Sequence, residues 1–140
     1  MAGGDANDTR APWPKGEDGL HLLEFGPVNV EASKAADHVF DTMTAQFKFK
    51  AVKAEFQTQT LTENNGITFN LEDDTGTAKV LINDAGVAAV VAGAGGVQAL
   101  TVDTTVEINA GALLKASYKS GATDTSVQSK IRLWVKPTHG

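Results

Sequence analysis

Cysteine is absent from the 140 residues, which excludes disulfides and thiolate metal sites. Aromatic residues are scarce at 6%, and Ala, Val, Thr and Gly are abundant. That balance favours thin strands and small-residue packing over a large aromatic-lined pocket. Long apolar runs are also missing. The richest stretch, Ala85 to Ala94, is far too short to span a bilayer. The opening MAGGDANDTRAPWPKGEDG has no apolar core of a secretory signal. Positive charge is in deficit: the net charge is −5 and the pI about 5.1, so the chain lacks the electrostatic footprint of a nucleic-acid binder. The expectation is a soluble protein made in a cytoplasm, with no membrane and no nucleic-acid partner. With 41% apolar and 21% charged residues, the composition is that of one globular domain and not of a disordered chain.

Motifs that carry chemistry are missing too. Gly93-Ala94-Gly95-Gly96 is followed by no Lys-Ser/Thr pair, so it reads as a loop tip and not as a phosphate cradle. His21, His38 and His139 stand in unrelated places with no zinc-ligand spacing. No G-x-S-x-G elbow is present. Glu72-Asp73-Asp74 lacks calcium-loop spacing and reads as a solvated acidic turn. We therefore assign no catalytic, cofactor or metal residues and expect a protein that is not an enzyme.

What the chain does have is alternation of period two, the mark of half-buried strands. Leu100, Val102, Val106 and Ile108 share one parity in the first run, and Leu114, Ala116 and Tyr118 share one in the second. The turn Asn109-Ala110-Gly111 between them suggests a strand pair. Leu20 to Phe25 reads as a short strand broken by Gly26-Pro27, with a second piece at Val28 to Glu31, and His38 to Met43 as a further strand. Gln46 to Gln57 is the clearest strand, but its apolar phase flips from Phe47, Phe49 and Ala51 to Val52, Ala54 and Phe56. Either a β-bulge near Ala51-Val52 absorbs the slip, or the strand crosses between sheets.

Asn65-Gly66 signals a hairpin into Ile67, Phe69 and Leu71, all facing inward. Ala78 to Ile82 is a strand closed by Asn83 to Gly86. Val87 to Gly96 reads as strand then loop, with a short helix as the alternative. Val127 to Lys136 is the last strand, with Val127, Ile131, Leu133 and Val135 on one face. Seven to nine short strands with turns about every ten residues fit an all-β, antiparallel β-sandwich, jelly-roll-like. Residues 1–19 read as an extended or flexible N-terminal arm, and 20–140 as the sandwich domain.

Interface candidates stand apart from this scaffold. Trp13 lies between Pro12 and Pro14, either in a floppy terminus or as the anchor of an arm in a neighbouring subunit. Trp134 shares parity with Lys130, Arg132 and Lys136. Trp and Arg are enriched in interface hot spots, so Trp13, Arg132, Trp134 and Lys136 are the candidates. The alternative is that the N-terminal segment of the same chain covers this face. Tyr118, beside the polar loop 119–125, is a further candidate as a sugar platform.

The segment Val106 to Leu114 (VEINAGALL), the strand Lys115-Ala116-Ser117-Tyr118 and the terminal strand Ile131 to Val135 resemble the last third of small β-sandwich virion proteins of tailed bacteriophages. Ala51 to Leu71 resembles their middle. The resemblance spans about residues 46 to 136 and transfers no individual functional residue. It implies a capsid decoration (cement) or head-fibre protein on the virion surface, a homotrimer whose partners are itself and the major capsid protein. A carbohydrate- or receptor-binding module of a tail or head fibre is the alternative.

Overall fold

A computed structural model describes residues 19–63, 66–75, 79–90 and 93–138. Trp13, His139 and the proposed arm apart from Gly19 lie outside the described residues. Eleven strands occur among them: β1 (His21–Val28), β2 (His38–Thr44), β3 (Phe49–Thr58), β4 (Thr60–Glu63), β5 (Thr68–Asp73), β6 (Lys79–Gly86), β7 (Gly96–Leu100), β8 (Glu107–Ile108), β9 (Leu113–Lys119), β10 (Thr125–Val127) and β11 (Ser129–Pro137). One sheet runs β1-β11-β3-β7, with β8 also on β3; the other runs β2-β9-β5-β6. A ribbon of β4 and β10 stands aside. All described pairings are antiparallel. The expected all-β, antiparallel sandwich is what the chain forms.

The two sheets close on one core. Leu23, Phe25, Phe49, Phe56, Ile131, Leu133 and Val135 point inward from the first, and Ile82, Phe69, Leu71, Leu114, Ala116 and Tyr118 from the second. Alternation makes this possible, because every second side chain of a strand faces the same side. Without the ribbon, β1, β2, β3 and β5 alternate between the sheets. A single hairpin, β5-β6, stays within one sheet, and β7 with β8, then β9, then β11 alternate again.

Several local expectations are corrected. Asn109-Ala110-Gly111 joins no hairpin: β8 lies in the first sheet and β9 in the second. Gly111, at φ 86, donates its N–H to the Ala45 carbonyl at 2.8 Å, which holds the turn as a bridge between layers. Alternation reports which side of a strand is buried and says nothing about the strand beside it. The Asn65-Gly66 signal fails likewise, since β4 pairs with β10 while β5 pairs with β6 and β9.

Gly26-Pro27 does not end β1, which absorbs it as a register shift between Phe25 and Val28. β6 runs through to Gly86. The described part of 87–95 is turn and bend, neither strand nor helix, with Val87 and Val90 buried, and the strand β7 begins only at Gly96. Val127 is 43% exposed. Gln128, at φ 54, breaks the last run into two strands and reverses its phase. In β3 the bulge reading holds: Trp134 faces Lys53 and Val135 faces Ala51, leaving Val52 unopposed.

Candidate interaction surface

The bulge at Val52 sets up the outer face of the first sheet. It lets Phe49 and Ala51, then Ala54 and Phe56, all point into the core. It also brings Lys53 opposite Trp134 on the solvent side. The Lys53 ammonium sits 4.5 Å from the centroid of the Trp134 ring, and the Arg132 guanidinium 5.4 Å from it. Cation–π contacts at such a site contribute about 0.5–1 kcal/mol each. Leu22 of β1 is the register partner of Trp134 on the other side of β11. The indole is therefore half-buried and held by three strands.

Arg132 is held in turn. Its Nη1 donates to Glu55 Oε1 at 3.2 Å, and its Nε lies at ion-pair distance, 3.2 Å, from Glu24 Oε2. Lys130 pairs with the same Glu24 at 3.2 Å, and Lys48 with Glu107 at 3.4 Å. Among the described residues the face thus presents Lys48, Lys50, Lys53, Lys130, Arg132 and Lys136 against Glu24, Glu55 and Glu107, an excess of three cations. Lys50, Lys53 and Lys136 form no ion pair with a described carboxylate. Among the sequence candidates, Arg132, Trp134 and Lys136 do share one face, with Trp134 packed on Arg132. Lys50 and Lys53 were not picked out, although the phase flip at Ala51-Val52 was the signal that brings Lys53 to the ring. The cation–π partners of Trp134 lie in its own chain.

The outer face of the second sheet has the opposite charge. Among the described residues Asp37, Glu72, Asp74 and Asp84 stand there with Lys115 and Lys119 as the cations. Lys115 reaches Asp74 at 2.6 Å, and Lys119 reaches Asp84 at 3.3 Å and Asp37 at 3.9 Å. Asn70 donates to Asp84 Oδ1 at 2.9 Å, and that bond, followed by the one from Lys119, holds the Asp84 carboxyl below the ordinary carboxylate range. Exposed apolar side chains lie on this face as well: Val39, Val80 and Leu113.

A cleft of about 750 Å³ opens between edge strands β6 and β7, lined by Val80, Asn83, Asp84, Leu100 and Asp103 among others. Gln98 spans one end, donating to the Gly86 carbonyl at 2.7 Å and accepting from the Ala89 N–H at 3.0 Å. The Asp103 N–H, bonded to the Leu81 carbonyl at 2.8 Å, spans the other.

The remaining candidates resolve into structure. Tyr118 is fully buried, and its hydroxyl accepts the Glu31 N–H at 3.1 Å, so it cannot serve as a sugar platform. His21 packs on Phe47 and His38 on Tyr118. In the acidic turn Asp73 is buried and accepts the Thr75 N–H, while Asp74 pairs with Lys115. No group of three or more potential metal ligands occurs among the described residues. The glycine loop is not a free tip: Leu61 N–H bonds the Ala94 carbonyl at 2.8 Å, and Gly93 N–H bonds the Leu61 carbonyl at 2.6 Å.

The fold and this surface define an antiparallel β-sandwich whose two outer faces carry opposite charge, one of them centred on a clamped tryptophan. No family model, curated protein or solved structure matches the chain.

Proposed function

We propose that this chain is a non-enzymatic structural protein of a phage virion, a capsid decoration protein that self-associates and binds the capsid surface. The observation that carries the reading is Trp134, half-buried on the outer face of the first sheet and packed by Lys53 and Arg132. A ring fixed in advance loses little conformational freedom on docking, and rigid aromatic and arginine anchors dominate interface energetics. The strand order supports the same reading. Strands that alternate between two sheets around one hairpin support a jelly-roll reading, an architecture that serves in capsids and also in lectins. Repetition on a lattice converts a modest contact into tight attachment.

Light scattering at tens of micromolar tests self-association. The expected species is a trimer that Trp134→Ala shifts to monomer, and co-sedimentation with empty capsids of the encoding virus tests the attachment. A wild-type monomer that leaves capsids in the supernatant refutes the reading. The second reading, a carbohydrate-binding module, is favoured by the β6–β7 cleft, where Asn83, Asp84 and Asp103 gather. A glycan array without hits retires it.

A further inference from the structure

We infer that copies of this chain associate head to tail, the cationic face around Trp134 of one copy against the acidic face of the next. The inference rests on the reading of the chain as self-associating and adds which surfaces meet. The net charge of −5 is unevenly placed, since among the described residues the outer face of the first sheet carries an excess of three cations. Lys53 and Lys136 form no ion pair with a described carboxylate, and Lys50 shares Glu107, its register partner, with Lys48.

Two such faces meeting about a twofold axis would bring both excesses of positive charge into one interface. Like-charge juxtaposition in an interface is strongly disfavoured. The outer face of the second sheet offers what the first lacks: Glu72, which forms no ion pair with a described cation, and an excess of carboxylates around it. Val80, 38% exposed and register partner of Glu72, and Val39, 47% exposed, supply apolar surface for the indole. A contact between two different patches is heterologous, and it closes into a ring when the rotation between copies permits. A cyclic trimer is one such closure.

Two variants separate the outcomes, each checked for wild-type circular dichroism and melting. Lys50→Glu with Lys136→Glu reverses the cationic face and leaves the Trp134 clamp in place. Asp37→Lys with Glu72→Lys reverses the acidic face. Sedimentation equilibrium is expected to show each variant alone at least tenfold weaker in self-association. Mixed, they meet through the two remaining wild-type faces and equally through the two reversed ones, so the complexes contain both variants in equal number and no odd-membered ring, while a chain carrying all four changes regains self-association. A wild-type oligomer that either double variant preserves, or a mixture that forms no complex, overturns the head-to-tail arrangement and leaves self-association standing. A wild-type monomer overturns both.

Discussion

Phe56 on β3 and Phe69 on β5 meet across the sandwich, with ring centroids 5.1 Å apart and planes inclined at 36°. Both rings are fully buried, so this contact joins the two sheets at the centre of the core. Truncating a buried Phe to Ala costs about 3–5 kcal/mol through lost burial and the cavity left behind. Phe56→Ala and Phe69→Ala are each expected to lower unfolding free energy by that amount in urea titrations. The double variant is expected to fall short of the sum by about 0.5–1.5 kcal/mol, the coupling typical of an aromatic pair. Strict additivity would mean that the rings do not interact.

Val52 is the extra residue of the β3 bulge, 41% exposed and opposite no residue of β11. Deleting it brings Ala51 and Lys53 into ordinary succession and keeps both apolar pairs of β3 inward. A one-residue deletion in a strand without a bulge turns the following side chains to the opposite face. Deletion of Val52 is therefore expected to give a folded protein with a cooperative, lower-melting transition. Deletion of Arg132, which would expose Leu133 and Val135, is expected to give an insoluble or unfolded chain. A thermal melt of each purified or refolded product decides the matter.

The strands were legible in the sequence wherever alternation was long and one face apolar: Ile67, Phe69 and Leu71, or Leu114, Ala116 and Tyr118. The bulge was legible because a phase flip leaves a residue signature. Partnership between strands was not legible. Asn109-Ala110-Gly111 and Asn65-Gly66 have hairpin chemistry, yet both lie where the chain passes from one element's sheet to another. Turn residues specify a change of direction, and which strand lies alongside is decided by packing of the whole core. Arg132, Trp134 and Lys136 could be placed on one face by parity. The Lys53 contact depends on register between residues 81 positions apart in the chain, which no local pattern carries. The charge contrast between the two faces likewise depends on which strands share a sheet.

Gly95 marks a close approach that local sequence reads only as loop. A Cβ placed there would lie 2.0 Å from the Gln59 carbonyl oxygen and 2.7 Å from that of Thr58, both backbone atoms. Neither can rotate away, so the segment carrying Ala94 would have to lift from Leu61. Gly95→Ala is expected to cost about 1–3 kcal/mol, the usual range for overpacking. Gly93→Ala is expected to be milder: open space surrounds that site, and only its φ of 84 opposes a side chain. Comparison of the two by chemical denaturation checks the assignment, which fails if Gly95→Ala is the better tolerated.

Acid should weaken the fold through Asp84 and Asp103. The Asp84 carboxylate is stabilised first by the Asn70 side chain and then by Lys119, and that of Asp103 first by the Thr105 hydroxyl and then by the Thr105 N–H. Both carboxyls accordingly titrate below their ordinary range in the folded chain. A depressed folded-state value means that the unfolded chain binds protons more readily. The contribution is complete above the unfolded value, about 4, and is lost as pH falls through the folded values. Urea midpoints are expected to be level from pH 7 to about 5 and to decline below about 4. Asp84→Asn keeps a residue type that tolerates the positive φ of 47 at that position and removes one titrating group, so its decline should be shallower than that of the wild type. Asn70→Ala should raise the Asp84 titration midpoint, read by carboxyl carbon NMR, toward the ordinary aspartate value. An unchanged midpoint would show that Asn70 does not hold the charge.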